Sequence, residues 1–534
     1  MKNLNNFFNL FSNRKILFLI FFFALILRIV LFFAEREANL KLPWKGTTDQ
    51  IGSEFLRDDA TMYTAFVTNY FKYNIWSAHK NYPIGLIRKT PGYPLFLSIN
   101  YILFGEKYYL WVVVLFQLIL DSSVVFFLYA ISKKLFQRNV TGFIAASLYS
   151  LIPYSSVFAN YILPESISCF FVTLTIAFYL SFHKMNRNLH NILTGTIVGI
   201  CILLKPVTVL LLIVLLLSEL FFRIDTFKNL ILTKITNLLF LFIPAFLMIA
   251  IWANRNHKVY GEYILFEEFT THKSPDGKSL YYFATEEWLM SIGQRLIPDQ
   301  LLTYIEQYKP FSEHSTTNFI SSDSSHVLFL REKLKLADWV IELYHADSLL
   351  QFFNSIKKTR VYRTIHTPMS HKLSVRNEII RREDSIINCF NRLTSHLIHE
   401  RPIRYSIAPF INFYALVVHS NLANVQLLVL YPQHEYLLSY IFKAFSFIIW
   451  NTFFICFILT LVIYKNKLNE RIILLLFPIL LILYHITPFL SNYLNHASER
   501  YFLIANHFFY LYTAYIITHL YGLYSKQRNR KVKQ

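Results

Sequence analysis

The chain has 534 residues, 54% of them apolar and 18% aromatic, with only 16% charged and a formal net charge of +20. Soluble domains carry about a quarter charged residues, and disordered chains lack this apolar content, so both classes are excluded. The excess charge does not point to nucleic acid: residues 35–108 hold 9 basic and 7 acidic residues and 254–435 hold 20 and 19, leaving 23 and 6 in the short connections and the C-terminal tail.

Apolar runs of about 17 to 24 residues recur along the chain, and a helix needs roughly 20 to cross a bilayer. The expected fold is therefore an all-α polytopic membrane protein with about ten spans. The first run, Lys15 to Phe33, follows Lys2, Arg14 and Lys15 and is expected to be an uncleaved anchor entering from the cytoplasm. Arg28, near its outer end, is expected to snorkel. Later spans are expected over 109–132, 140–159, 166–182, 188–204, 206–222, 230–252, 444–464, 471–490 and 501–521. Basic connections (Lys133-Lys134…Arg138, Lys184…Arg187, Arg223…Lys228, Lys465…Lys467) and the tail from Lys526 to Lys533 fall on one side with the N-terminus. The positive-inside rule places that side in the cytoplasm.

Pro94 to Gly105 is apolar but short for a crossing, and counting it as a span would put every later basic loop outside. It is expected to lie in the outer interface. The stretch 405–432 is apolar but interrupted by Pro409, His419, Asn421 and Asn424; it too reads as interfacial, with a true span as the lesser alternative. The chain then divides into a transmembrane module over 1–253 with an outer loop at 34–108, an outer-face domain over 254–435, and C-terminal spans with a basic tail over 436–534. Heptad-like stretches at Leu328–Leu349 and Val375–Leu397 suggest amphipathic helices in the outer domain. No internal repeat is visible, which weighs against transporters built from inverted repeats.

The outer loop contains LRDDATMY, with Asp58 and Asp59 adjacent and Tyr63 about one turn later. Two acids are unremarkable in a solvated loop; the functional reading is a general base kept ionised beside the membrane. Adjacent carboxylates raise one another's pKa, so one can act as base while the other holds a partner or a metal. Next, Arg88 and Lys89 precede the turn Pro91-Gly92-Tyr93-Pro94. They read either as interfacial anchors or as cations that neutralise a lipid-linked phosphate. Glu165 (ILPES) and Lys205 (LLKP) border hydrocarbon at two mouths between spans, where ionisable residues suggest function. Asp121, halfway along its span, reads as a helix-packing polar group. The last outer loop supplies His496, Glu499, Arg500 and Tyr501, of which Glu499 and Arg500 also suit a helix start.

Together the motifs are more specific than any one of them. Paired acids in a long first outer loop, then RKTPGYPLFL with its LFG stop, a Gln117-bearing span, LPES, LLKP, WANRN at 252–256 and ERYFL resemble the GT-C class of polyprenyl-phosphate-sugar-dependent glycosyltransferases. The chain looks most like the lipopolysaccharide-core and aminoarabinose transferases of bacteria, with protein O-mannosyltransferases as more distant relatives. The resemblance covers about residues 15–260 and the last span; 261–435 match no known pattern. It implies an inverting transfer on the outer face of the inner (plasma) membrane, from a polyprenyl-phosphate sugar to a glycan, lipid or protein acceptor. It assigns catalysis to Asp58, with Asp59 standing where many members carry Glu. Donor phosphate falls to Arg88, Lys89, Lys205 and Arg500, and substrate contacts to Tyr63, Glu165, His496 and Tyr501. Thr90, between Lys89 and Pro91, departs from the family pattern. Some relatives use a divalent metal; no clear ligand spacing assigns one here, and no other cofactor is implied. Two other classes remain: a flippase or transporter of lipid-linked glycan, which needs polar residues at mid-depth such as Asp121 or Glu219, and an O-antigen polymerase or ligase leaning on Arg381, Arg382 or His366.

Overall fold

The computed structural model describes residues 14–41, 60–77, 90–152, 154–181, 186–221, 230–260, 336–366, 373–418, 435–464, 472–486 and 499–531, with isolated positions between them. Among these residues the regular structure is helical throughout. Five helices are long and apolar enough to cross a membrane, and two shorter apolar ones accompany them. This is an all-α polytopic membrane protein.

Helix α1 (Arg14–Lys41) shows why. Phe18, Leu19, Phe22, Ile26, Val30 and Phe33 are all about half exposed or more. Such a face is stable only against lipid. The following described elements are α2 (Ala60–Tyr73), α3 (Gly92–Phe136), α4 (Asn139–Leu151) and α5 (Tyr154–Ala159). Then come α6 (Glu165–Ser181), α7 (Arg187–Leu204), α8 (Val209–Phe221) and α9 (Leu230–Tyr260).

One expected break and two departures from the sequence expectation have local causes. Helix α3 is two helices joined at a kink: Gly105 breaks it at φ 72°, ψ 167°, so the short segment from Gly92 and the span after it are separate, as the LFG stop implied. That backbone conformation is open to glycine and strained for other residues. The run 140–159 is not one helix; α4 ends at Leu151 with Ile152 extended, because Pro153 disfavours a helical residue before it. Helix α9 carries WANRN within its last turns and ends only at Tyr260, beyond the expected end of the span at 252.

Helices α7 and α9 touch through small residues. A Cβ on Gly195 would lie 2.2 Å from the Leu241 carbonyl oxygen, and one on Gly199 would lie 2.6 Å from Met248 Sδ. The Gly-x-x-x-Gly spacing lets the backbones approach, which gains packing that hydrophobicity cannot supply between helices in lipid.

Arg28 does not snorkel. It is 1% exposed, and its Nε donates to Asp121 Oδ2 inside the bundle. Tyr149 donates its hydroxyl to the other Asp121 oxygen at 2.7 Å, and the guanidinium lies 4.9 Å from the Tyr149 ring. The pair ties α1, α3 and α4 together, which explains how both charges persist in an apolar interior.

A second core forms apart from the bundle. Trp288, Phe353 and Phe390 are its fully buried aromatic centre, contributed in part by α11 (Ala346–His366) and α12 (Leu373–Glu400). The expected helix over 375–397 is α12. The one over 328–349 is instead divided, with α10 (Asp338–Tyr344) bounded by extended Ala337 and by His345 at φ 59°. The stretch from 405 yields α13 (Pro402–Val418), packed on α14 (Glu435–Tyr464), α15 (Ile472–Ile486) and α16 (Glu499–Lys531). Helix α16 continues through the expected basic tail.

Candidate active site at one end of the bundle

The chain turns after α7 because Pro206 keeps Lys205 out of helical geometry, at φ −152°, ψ 109°. Thr208 then closes the turn, its hydroxyl donating to the Lys205 carbonyl at 2.8 Å. Thrown clear of the helix, the Lys205 side chain reaches across to Glu165, the first residue of α6, with Nζ 3.1 Å from Oε1. Lys205 and Glu165 are 3% and 2% exposed. A carboxylate also suits the first turn of a helix, where backbone N–H groups point outward unpaired. Two of the sequence-selected residues are therefore one buried ion pair.

The Pro-Gly-Tyr-Pro turn rests directly on that corner. A Cβ on Gly92 would lie 2.6 Å from both the carbonyl carbon and oxygen of Leu203, against the backbone just before Lys205. Only glycine allows this approach. The residue after it, Tyr93, is fully buried and stands edge-on to Tyr63 of α2, their ring centres 5.1 Å apart. Tyr93 donates its hydroxyl to Gln117 Oε1 at 2.7 Å, and Gln117 Nε2 donates to the carbonyls of Ala159 and Tyr161 at 2.9 and 2.7 Å. Gln117 is thus the peg that fixes the strap 159–164 to the turn.

That strap reaches the first loop from the other side. The Ile162 N–H donates to the Phe55 carbonyl at 3.2 Å, and Asn160 Nδ2 donates to Glu35 Oε2 at 2.7 Å. Phe55 in turn stacks on Phe32 of α1, ring centres 5.1 Å apart. Arg255 of α9 closes the ring by donating to the Trp76 carbonyl at 3.0 Å. The arrangement gathers the ends of α1, α3, α6, α7 and α9 around one polar corner.

Of the residues selected from sequence, Tyr63, Glu165 and Lys205 are brought together here. Asp58, Asp59, Arg88, Lys89 and His496 lie outside the described residues. Arg500 and Tyr501 begin α16, and their side chains are likewise outside the description. The described flanks are informative: Phe55 and Leu56 precede the acids and Ala60 follows them, all buried, and buried Thr90 follows Lys89. Sequence reasoning missed Glu35 and Asn160; the signal available for Glu35 was an acid closing an apolar run. Among the described residues no group of three His, Cys, Asp or Glu side chains is placed to hold a metal.

Of the residues named for competing functions, Glu219, Asp121, Arg381 and Arg382 are engaged elsewhere, and the His366 side chain lies outside the description. Glu219 accepts from Tyr179 at 2.8 Å and from Arg187 at 3.0 Å. Asp121 is committed to Arg28 and Tyr149. On α12, Arg381 and Arg382 donate to Glu378 at 2.9 and 2.7 Å one turn away, and those bonds pull the Glu378 carboxyl down to about 2. These are exposed helix-surface pairs, worth little to stability and not organised as a site.

Residues 88–252 match the family model described as dolichyl-phosphate-mannose-protein mannosyltransferase. The match begins at the cationic pair before the Pro-Gly-Tyr-Pro turn and ends within α9, and so takes in Tyr93, Gln117, Asn160, Glu165 and Lys205 of the corner. It supports a membrane glycosyltransferase of the GT-C type. No curated protein and no solved structure matches the chain.

Proposed function

We propose that this membrane glycosyltransferase moves a sugar from a polyprenyl-phosphate donor to a glycan, lipid or protein hydroxyl, at the outer face of the membrane and with inversion at the anomeric carbon. The observation that carries the reading is the seat of Gly92 on the Leu203 and Leu204 backbone. It brings the Pro-Gly-Tyr-Pro turn that follows Lys89 in sequence against the backbone just before Lys205, which supports a role for both cations at one phosphate.

The chemistry follows from those neighbours. The Asp58 carboxylate takes the proton of the acceptor hydroxyl as its oxygen bonds to the anomeric carbon. The bond from that carbon to the phosphate oxygen breaks, and both its electrons leave with the polyprenyl phosphate. Positive charge on the sugar and negative charge on the phosphate both grow toward the transition state. Fixed cations at Arg88, Lys89 and Lys205 therefore stabilise the transition state more than the bound donor. Asp59 orients the acceptor, Arg500 adds a further cation at the donor phosphate, and His496, Tyr501 and Tyr63 border the sugar. Glu165 holds Lys205 in place and keeps its charge from being buried alone. A divalent metal held by the paired acids would add charge at the same phosphate. Basic connections between the other ends of the spans support a corner outside the cytoplasm, where a lipid-linked donor replaces a nucleotide sugar.

A transport path finds less support, since Asp121 and Glu219 are both satisfied by neighbouring side chains. Alanine at Arg88, Lys89 or Lys205 tests the phosphate assignment. A charge-assisted hydrogen bond contributes about 1.5–3 kcal/mol, so each true contact should cost roughly ten- to a hundredfold in transfer from a purified polyprenyl-phosphate sugar. Wild-type rates in all three variants, with folding intact by gel filtration, would place the phosphate elsewhere.

A further inference from the structure

Helix α13 presents two features that packing within the protein does not use. Its exposed face is apolar: Ile403, Ile407, Phe410, Ile411 and Tyr414 recur at helical spacing, with Ile403 74% exposed. Just before and within its first turn stand Arg401 and Arg404, both exposed and both against the Trp339 ring, at 5.2 and 3.8 Å from its centre. Among the described residues no acidic partner of either is seen. Burial together with the neighbouring Arg401 pulls the Arg404 guanidinium below its ordinary value. Two like charges held side by side are a receptor for an anion.

The depth of the helix follows from its partner. Tyr414 donates its hydroxyl to Asn451 Oδ1 of α14 at 2.9 Å, and its ring lies 6.4 Å from Phe454. Asn451 stands at the centre of the apolar stretch Tyr440–Ile463, the part of α14 long enough to span. The helix from Pro402 to Tyr414 rises about 18 Å. Half the hydrocarbon core is about 15 Å. On α14, Tyr440, Ile441, Phe445 and Ile448 are exposed as well.

We propose that α13 is a re-entrant helix that enters the outer leaflet to mid-depth, and that Arg401 and Arg404 over Trp339 bind the phosphate of a bilayer lipid at its mouth. Tyr405 packs on the second core and Phe413 and Val417 on the bundle, so this one helix moors the core around Trp288 to the membrane. An arginine pair on an aromatic face suits a phosphate better than a carboxylate-free water surface, because the guanidinium fork is flat and only weakly hydrated. The leaflet rests on the outward orientation of residues 254–435. Maleimide labelling of Ser321→Cys on intact cells tests that orientation separately, and its failure leaves the depth result below interpretable.

The full chain, with its four cysteines replaced by alanine, should carry a nitroxide at Ile403, Ile407 or Ile411 in lipid nanodiscs. Collision with oxygen relative to a water-soluble nickel chelate should rise stepwise from 403 to 411. Equal, shallow depth at all three would mean a helix lying flat and would overturn the re-entrant assignment. For the phosphate, native mass spectrometry of the detergent-purified chain with added phosphatidylglycerol should show an adduct that R401Q/R404Q binds about tenfold more weakly. Millimolar inorganic phosphate should leave the adduct in place, since the apolar stripe holds the tails; displacement would show that free phosphate is the ligand and would overturn the lipid assignment. The R401K/R404K pair should bind more weakly than the wild type but better than R401Q/R404Q, since it keeps the charge and loses the planar fork. Undiminished binding by R401Q/R404Q, or equal loss in both pairs, would overturn the phosphate site.

Discussion

Asparagine at Asp58 should lower sugar transfer about a hundredfold or more while leaving the fold intact. The substitution keeps the shape and most hydrogen bonding of the side chain but removes the proton acceptor, so the loss should fall on turnover rather than on donor affinity. Asparagine at Asp59 should cost less, since that residue orients rather than accepts. The wild-type rate should also fall on the acid side of its pH profile, because the base works only as carboxylate and protonation disables attack. In the Asp58→Asn variant the remaining rate should lose that limb. Purified variants assayed with a polyprenyl-phosphate sugar decide between the acids. Full activity in Asp58→Asn with a dead Asp59→Asn would exchange their roles, and full activity in both would refute the catalytic assignment.

Leucine at Asp121 should destabilise the bundle by about 3–5 kcal/mol, because it leaves the Arg28 guanidinium buried without a counter-charge. Arg28 and Asp121 are 1% and 0% exposed, so neither water nor headgroups can compensate. Joining Arg28→Met to Asp121→Leu should restore most of the loss, as two apolar side chains replace two desolvated charges. Thermal unfolding of the detergent-solubilised single and double variants, followed by gel filtration, measures both. A single variant as stable as wild type would mean that the pair is not what joins α1, α3 and α4.

The same pair shows where sequence reading stops. Hydropathy located the apolar runs, since a bilayer imposes a length and an exposed apolar face that each run must satisfy by itself. Gly105 was legible as a stop, because a glycine closing a short apolar run has one common structural use. The partner of Arg28 was not legible: a basic residue inside a span looks the same whether it snorkels or meets an acid 93 positions away. The Lys205–Glu165 pair was half legible. Each residue stood out by its cost beside hydrocarbon, but their meeting depends on Pro206 turning the chain and on α6 starting opposite it. Gln117 belonged to the motif pattern, yet its job of tying Tyr93 to the strap could be seen only once α3 and the 159–164 segment were in place. Glu35 and Asn160 were missed because neither borders a motif. In 328–349 the heptad spacing misled, as left-handed His345 and extended Ala337 interrupt a pattern that side-chain periodicity alone cannot interrupt.

Donor class is the most direct test of the functional account. The purified chain, reconstituted in proteoliposomes, should be offered one labelled sugar in two forms, as a polyprenyl-phosphate ester and as a nucleotide sugar, with a crude envelope extract as acceptor. Transfer from the polyprenyl-phosphate form, with release of polyprenyl phosphate and none from the nucleotide form, is the expected result. Transfer from the nucleotide sugar alone would contradict the outer-face, lipid-donor mechanism.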